Sequence, residues 1–182
     1  DELAKNPGIQ AVAMASWEVG AYYGSWDNLK DKKDSTKEMR IDYISASPNF
    51  VKTLGMKIID GRDFSTEHSN DVLSLRELWD KHLPDDEYMR YRNIKSIILN
   101  QQAVKALNLK LPVGTVLTEG VHGTVVGVVE DFNGLSLHKK VTPVILTCSE
   151  DQNEVTRVFI RISPKNTQKS IAYISSEWKK FY

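Results

Sequence analysis

The chain has 182 residues, 41% hydrophobic and 26% charged; Lys and Arg total 24 against 24 Asp and Glu, giving a formal net charge of zero and a sequence pI near 7.1. A chain of this size buries roughly 70% of its unfolded surface around its own core, so no metal or disulfide is needed to staple it. The balanced charge lacks the basic excess of a nucleic-acid binder, and the single cysteine, Cys148, excludes an intrachain disulfide.

Asp1 to Asn6 reads as the end of a helix, stopped by Pro7-Gly8. Ile9 to Ser16 alternates in the manner of a strand with small residues on one face. Gly20 to Glu38 mixes glycine, aromatics and the charge run Lys30-Asp31-Lys32-Lys33-Asp34 without a sustained period, and reads as a long exposed loop. Met39 to Ala46 alternates again. Ser47-Pro48 then offers an N-cap and a first-turn proline for a short helix from Pro48 to Leu54, ended by Gly55. Met56 to Ile59 is a short strand, turned by Asp60-Gly61. Val72, Leu75, Leu78, Trp79 and Leu83 recur at helical spacing, which predicts an amphipathic helix over Asn70 to Leu83 closed by Pro84. Asp85 to Arg92 is so densely charged that it reads as a surface connection.

Ser96 to Leu146 is the most strongly patterned stretch. Ile97 to Leu99 is an apolar run, and Asn100 can cap a helix from Gln101 to Leu107. Thr115 to Leu117 and Thr124 to Val129 flank a glycine-rich turn at Gly120 to Gly123, the pattern of a hairpin. Val144 to Thr147 and Val155 to Ile162 supply two more strands, the second with Val158, Ile160 and Ile162 as its expected buried face. Ser163 and Pro164 open a C-terminal helix with Ile171, Ile174 and Trp178 along one side, ending Trp178-Lys179-Lys180-Phe181-Tyr182. That ending suits a surface helix packing its aromatics on the sheet, or the aromatic and lysine belt of a membrane interface.

Chemistry is harder to find. The chain has no phosphate-binding G-x-x-x-x-G-K-[ST] loop and no G-x-G-x-x-G spacing. His68, His82, His122 and His138 are scattered, with no i, i+4 pair to hold a metal. Asp85-Asp86-Glu87 lacks the alternating ligands and central glycine of a calcium loop. Glu130-Asp131 would point to opposite faces of a strand, so turn formation before Asn133-Gly134 explains them better than acid–base work. Asp60-Gly61-Arg62-Asp63 reads as a tight turn, with Arg62 bridging to a carboxylate. Cys148, within Pro-Val-Ile-Leu-Thr-Cys-Ser, reads as a small buried hydrophobe. Catalytic residues, metal ligands and cofactor-binding residues are therefore all expected to be absent. The candidate contact site is the aromatic group Trp17, Tyr22, Tyr23 and Trp26, because exposed aromatics anchor partners or apolar ligands. The competing reading folds the loop back and buries them. No segment approaches the roughly 20 apolar residues that span a bilayer. The chain begins Asp-Glu-Leu without a methionine, which reads as a processed product or a piece of something larger.

The blocks IDYISASPNFVKTLGMKIIDGRDFS, IILNQQAVKALNLKLPVGTVL and GTVVGVVEDFNGLSLHKKVTPVIL, in that order, resemble the extracytoplasmic core domain of MacB-type and FtsX-like ABC transporter permeases. The resemblance rests on Pro48-Asn49-Phe50 with Leu54-Gly55, Gly61-Arg62-Asp63-Phe64, Ile98-Leu99-Asn100 with Ala103-Val104, Pro112-Val113-Gly114, and Val126-Gly127-Val128-Val129 with Asp131-Phe132, and covers about Ile41 to Leu146. It implies an α+β fold with mixed sheets and short helices, composed of a porter-like α/β part near the membrane and an inserted smaller subdomain. As a working division, residues 1–54 with 141–182 form the first and 55–140 the second. It also implies a place on the periplasmic side of the inner membrane, between the first two transmembrane helices of a permease subunit. The implied partners are those flanking helices, a separate cytoplasmic ATPase subunit, a second permease copy in a dimer, and a periplasmic adaptor, lipoprotein or hydrolase. The implied mechanism is mechanical transmission of ATP binding and hydrolysis, without covalent chemistry in this domain. Glu67 to Ile94 departs from the compact family pattern and reads as an added helix or an elaborated loop. The alternative function is an extracytoplasmic sensor or solute-binding domain of a membrane receptor; a soluble enzyme ranks third.

Overall fold

The computed structural model describes residues 2–21, 25–30, 38–72, 74, 80–119, 121–134, 138–151 and 154–180. The run Ile97-Ile98-Leu99 is fully buried at every position, because the strand that contains it is covered on both faces, where an unbroken apolar run is what burial requires. That strand lies in the middle of a nine-stranded sheet. In chain order the strands are β1 (Ile9–Ala15), β2 (Ser25–Lys30), β3 (Glu38–Ala46), β4 (Ile58–Gly61), β5 (Ser96–Asn100), β6 (Val116–Leu117), β7 (Gly123–Val129), β8 (Val144–Cys148) and β9 (Arg157–Ile162). The helices are α1 (Phe50–Leu54), α2 (Asp85–Ile94), α3 (Gln101–Ala106) and α4 (Thr167–Trp178), with 3-10 turns at Leu3–Lys5 and Pro164–Asn166.

Across the sheet the order is β4, β7, β5, β8, β3, β1, β9, with β2 added to β3 and β6 to β7. The pairs β5–β7 and β3–β8 are parallel, whereas β5–β8, β1–β3 and β1–β9 are antiparallel. The architecture is therefore α+β with a mixed sheet and short helices, as the resemblance implies. The sheet runs unbroken from residues of the 55–140 segment to those of 1–54 and 141–182 where β5 pairs with β8, Ile98 opposite Leu146.

Alternation sorts the side chains into two cores. Ile44, Ile98, Val144 and Leu146 face one cluster with Trp17, Phe50 and Phe64. Ile41, Ile97, Leu99 and Ile145 face the other, under Ala103 of α3 and Leu29 of β2.

Several elements depart from expectation. The expected loop over 20–38 contains β2, which pairs residue for residue with β3 from Ser25 opposite Tyr43 to Lys30 opposite Glu38. This pairing sets Leu29 in the second core. Asp85–Ile94 is a helix rather than a connection; its carboxylates Asp85, Asp86 and Glu87 occupy the first turn, where they complement the helix dipole. Of the helix expected over Asn70 to Leu83, residues 73 and 75–79 lie outside the described residues, and Asn70 and Asp71 form a turn. Ser47 does not cap α1. Its Oγ accepts from Met14 N at 2.8 Å, tying β1 to the end of β3, while α1 starts after Asn49 in a left-handed conformation. In β9, Ile160 and Ile162 are half-buried, but Val158 of the same expected face is exposed and Phe159 from the other face packs on the first core. The start of β9 pairs with the end of β1, Met14 opposite Val158 and Ala13 opposite Phe159, and that register decides which side chain faces α1.

Candidate partner-contact surface

The four candidate aromatics do not form one site. Trp17 is 2% exposed. It stacks on Phe159 at 6.0 Å between ring centroids and meets Phe50 edge-on at 6.4 Å and Phe132 at 6.1 Å. The expectation that Trp17 contacts a partner is thus corrected: it leaves β1 directly into the space between α1 and β9, and the core takes it. Tyr22 and Tyr23 lie outside the described residues. Trp26 is on β2 and is 54% exposed.

Trp26 is held from below. The Arg40 guanidinium carbon lies 4.9 Å from its ring centroid, a cation–π distance. Arg40 in turn directs Nε and Nη2 to Asp42 Oδ1, both at 2.8 Å. Asp42 is almost wholly buried, and its other oxygen accepts from the Thr142 hydroxyl at 2.8 Å. The Thr142 carbonyl accepts from Asn100 Nδ2 at 2.8 Å. A chain of contacts thus runs from an exposed tryptophan to the middle of the sheet. Sequence reasoning passed over Arg40 and Asp42. The available signal was their two-residue spacing in a strand, which sets both on one face.

The motif residues carry out structural locking. Asn100 Oδ1 accepts from Ala103 N and from Val144 N, both at 2.9 Å, so one side chain caps α3 and fastens β8. Asp131 reaches back to the same helix, accepting from Gln102 N at 2.9 Å and Gln102 Nε2 at 2.8 Å. Gly61 lies opposite Gly127 between β4 and β7. A Cβ on Gly61, at φ +69°, would overlap the Val126 carbonyl, and one on Gly127 would overlap the Arg62 carbonyl. Arg62 forks onto Asp71 at 2.6 and 2.9 Å, the bridge to a carboxylate expected from sequence. Burial opposes the charge on Asp71, but bonds from Arg62, Ser96 and the Ser65 amide outweigh it and hold its carboxyl below the usual range.

Two reactive-looking groups are closed off. Burial pushes the Cys148 thiol up to about 12, with nearby Lys95 only partly opposing. Burial likewise lowers Lys95, whose Nζ donates to the Cys148 carbonyl at 2.9 Å. A thiol so raised is protonated at neutral pH and is a poor nucleophile. Among the described residues no group of three or more His, Cys, Asp or Glu is placed to hold a metal ion, and no helix is long and apolar enough to cross a membrane.

The architecture has counterparts among solved structures. The periplasmic region of MacB from Actinobacillus actinomycetemcomitans superposes with a TM-score of 0.58 at 16% identity, over 99% of this chain and 71% of that one. The fold is that of a MacB-type periplasmic domain. The extracellular domain of the noncanonic ABC-type transporter YknZ from Gram-positive bacteria matches at TM-score 0.53 and 12% identity, over 93% of this chain and 74% of that one. A domain ascribed to a permease protein of Porphyromonas gingivalis matches at TM-score 0.53 and 14% identity, over 96% and 70% respectively. No family model matches the chain, and no curated protein sequence does. Among the strings that carry the MacB-like resemblance, Asn100, Asp131, Gly61, Gly127 and Arg62 make contacts that lock the sheet.

Proposed function

We propose that this chain is the non-catalytic extracytoplasmic domain of an ABC transporter permease subunit, transmitting ATP-driven motion of the membrane helices to a periplasmic partner or cargo. The observation that carries the reading is the likeness to the MacB periplasmic region over 99% of the chain. A second feature supports it. The Tyr173 hydroxyl of α4 donates to the Glu2 carbonyl at 3.0 Å, so the first described residues lie against the last helix, an arrangement that suits insertion between neighbouring membrane helices. In this reading the sheet moves as a body, no residue does covalent chemistry, and Trp26, seated on Arg40, is the exposed contact available to a partner. Transmission needs two states that differ in partner affinity. The test is a pair of spin labels at Val19→Cys, an exposed position, in the full-length permease dimer with its ATPase. Cys148 is buried and its thiol raised, so it stays silent. Distances between the two copies are expected to change between nucleotide-free and ATP-bound complexes; identical distances overturn the reading.

A further inference from the structure

The helix α4 does not pack its large apolar residues on the sheet, the first of the two readings its sequence offers. Its buried side chains are Ser170 and Glu177, one turn pair apart. Ser170 sits so close to β1 that a Cβ on Gly8 would overlap its hydroxyl oxygen. Small and paired polar groups thus let the helix approach the sheet, with Glu177 held by Lys180 at 2.6 Å. The large apolar residues are left outside: Ile171 is 53% exposed and Trp178 54%. At a spacing of seven residues they align two turns apart on one face, with Ile174 half-buried at its margin.

Charge accompanies this stripe. Residues 163–180 contain Lys165, Lys169, Lys179 and Lys180 against the single carboxylate Glu177, a net +3 in a chain whose total is zero. All four lysines are exposed. We propose that α4 lies against a membrane surface, with Ile171 and Trp178 in the interfacial layer and Lys165 and Lys179 on the phosphates of anionic lipid headgroups. Ile171 and Trp178 share one helix face, Lys179 flanks it and Lys165 lies in the turn before the helix, whereas Lys169 and Lys180 fall on the far side; an apolar and aromatic stripe flanked by lysine is the composition of an interfacial helix, and juxtamembrane lysines are drawn to anionic lipid. A second copy of the same face is the poorer occupant, since two-fold pairing would set +3 against +3. The inference rests on the permease reading, which brings this end of the domain to the bilayer.

The test is cosedimentation of the chain with phosphatidylcholine vesicles, with and without phosphatidylglycerol. Binding is expected only with the anionic lipid, and the pair Ile171→Ser and Trp178→Ser abolishes it. Lys165→Gln and Lys179→Gln each weaken it roughly fivefold, the equivalent of one juxtamembrane charge. Trp26→Ser leaves it unchanged. Because the substituted apolar residues are exposed, the variants keep the parent melting curve, which is checked by circular dichroism. No binding to anionic vesicles, or undiminished binding of the double variant, overturns the proposal. So does competition by inorganic phosphate at matched ionic strength, which would make the lysines a site for the free anion. Self-association lost in Trp178→Ser, without vesicle binding, would assign the stripe to a second copy. None of these outcomes bears on the distances between spin-labelled copies, so the two readings fail separately.

Discussion

Replacing Asn100 by alanine removes one side chain that serves three elements at once. Asn100 is fully buried. Its oxygen takes the amides of Ala103 and Val144, and its nitrogen donates to the Thr142 carbonyl. Loss of an N-cap costs about 1 kcal/mol. Each buried backbone group left without a partner costs about 1–3 kcal/mol, and here the Val144 amide and the Thr142 carbonyl are both stranded. Thr142 is half-buried, so water reaches its carbonyl more readily and its share falls at the low end. The expected loss is about 3–5 kcal/mol, out of a total of about 5–15 kcal/mol for a domain. Urea unfolding followed by tryptophan fluorescence measures it. Asn100→Asp retains both acceptor contacts but places a carboxylate against the Thr142 carbonyl, so it is destabilised at neutral pH and partly recovers in acid, where the protonated oxygen can donate. An Asn100→Ala loss below about 1 kcal/mol would mean that the cap alone matters, and would refute the three-way lock.

Trp17→Ala is expected to cost about 3–5 kcal/mol, whereas Trp26→Ala, which loses only an exposed contact with Arg40, costs about 0.5–1 kcal/mol; equal midpoints in urea would contradict the assignment of one to the core and the other to the surface. Gly61→Ala and Gly114→Ala both force alanine into positive φ, at +69° and +86°. Gly114 has open space around it, while Gly61 meets the Val126 carbonyl, so thermal melts should rank Gly61→Ala as much the more damaging. The Asp71 carboxyl is depressed in the folded state, so its contribution is complete above the unfolded value of about 3.9 and is lost as pH falls through the folded one. The stability gap between the parent and Asp71→Asn should accordingly be widest near neutrality and close below about pH 4. Asp63, pushed up by burial and by the Asp71 charge, works in the opposite sense, because its folded-state cost is relieved first as acid is added. A gap independent of pH would show that the Arg62 fork is not electrostatic.

Alternation and capping made the central strands legible from sequence. Ile97-Ile98-Leu99, the Asn100 cap and the hairpin of β6 and β7 all depend on near neighbours, and local signals suffice for these. β2 was not legible, because Ser25-Trp26-Asp27-Asn28-Leu29-Lys30 is strand only through its pairing with β3. α2 was obscured for a different reason: the charges that suggest a loop are, in the first turn, what a helix favours. The facing of β9 and the outward turn of Ile171 and Trp178 depend on what each element packs against, which a hydrophobic period does not specify. The candidate site divides in the same way. Trp17 and Trp26 are the same residue type nine positions apart, and only the tertiary setting sends one into the core and leaves the other on the surface.

Arg40 is where the exposed contact and the buried lock meet, and the two functions can be separated. Asp42 is 1% exposed while the Arg40 side chain is 40% exposed, so the carboxylate cannot exchange its partner for bulk water if the guanidinium is removed. Breaking a buried pair in this way costs about 3–5 kcal/mol, with the low end expected here because Arg40 itself is partly solvated. Asp42→Asn removes the charge but leaves an acceptor for Arg40 and a polar neighbour for Thr142, so its cost should be smaller. Arg40→Ala also deprives Trp26 of the group beneath its ring. Amide exchange over Ser25–Lys30 should therefore quicken in Arg40→Ala more than in Asp42→Asn, while β5 and β8 stay protected. If Asp42→Asn proves as destabilising as Arg40→Ala, the charge on Asp42 is what the fold needs. If exchange in β2 is unmoved by Arg40→Ala, Trp26 is not seated through Arg40, and its contact with the centre of the sheet through Thr142 and Asn100 has no mechanical meaning.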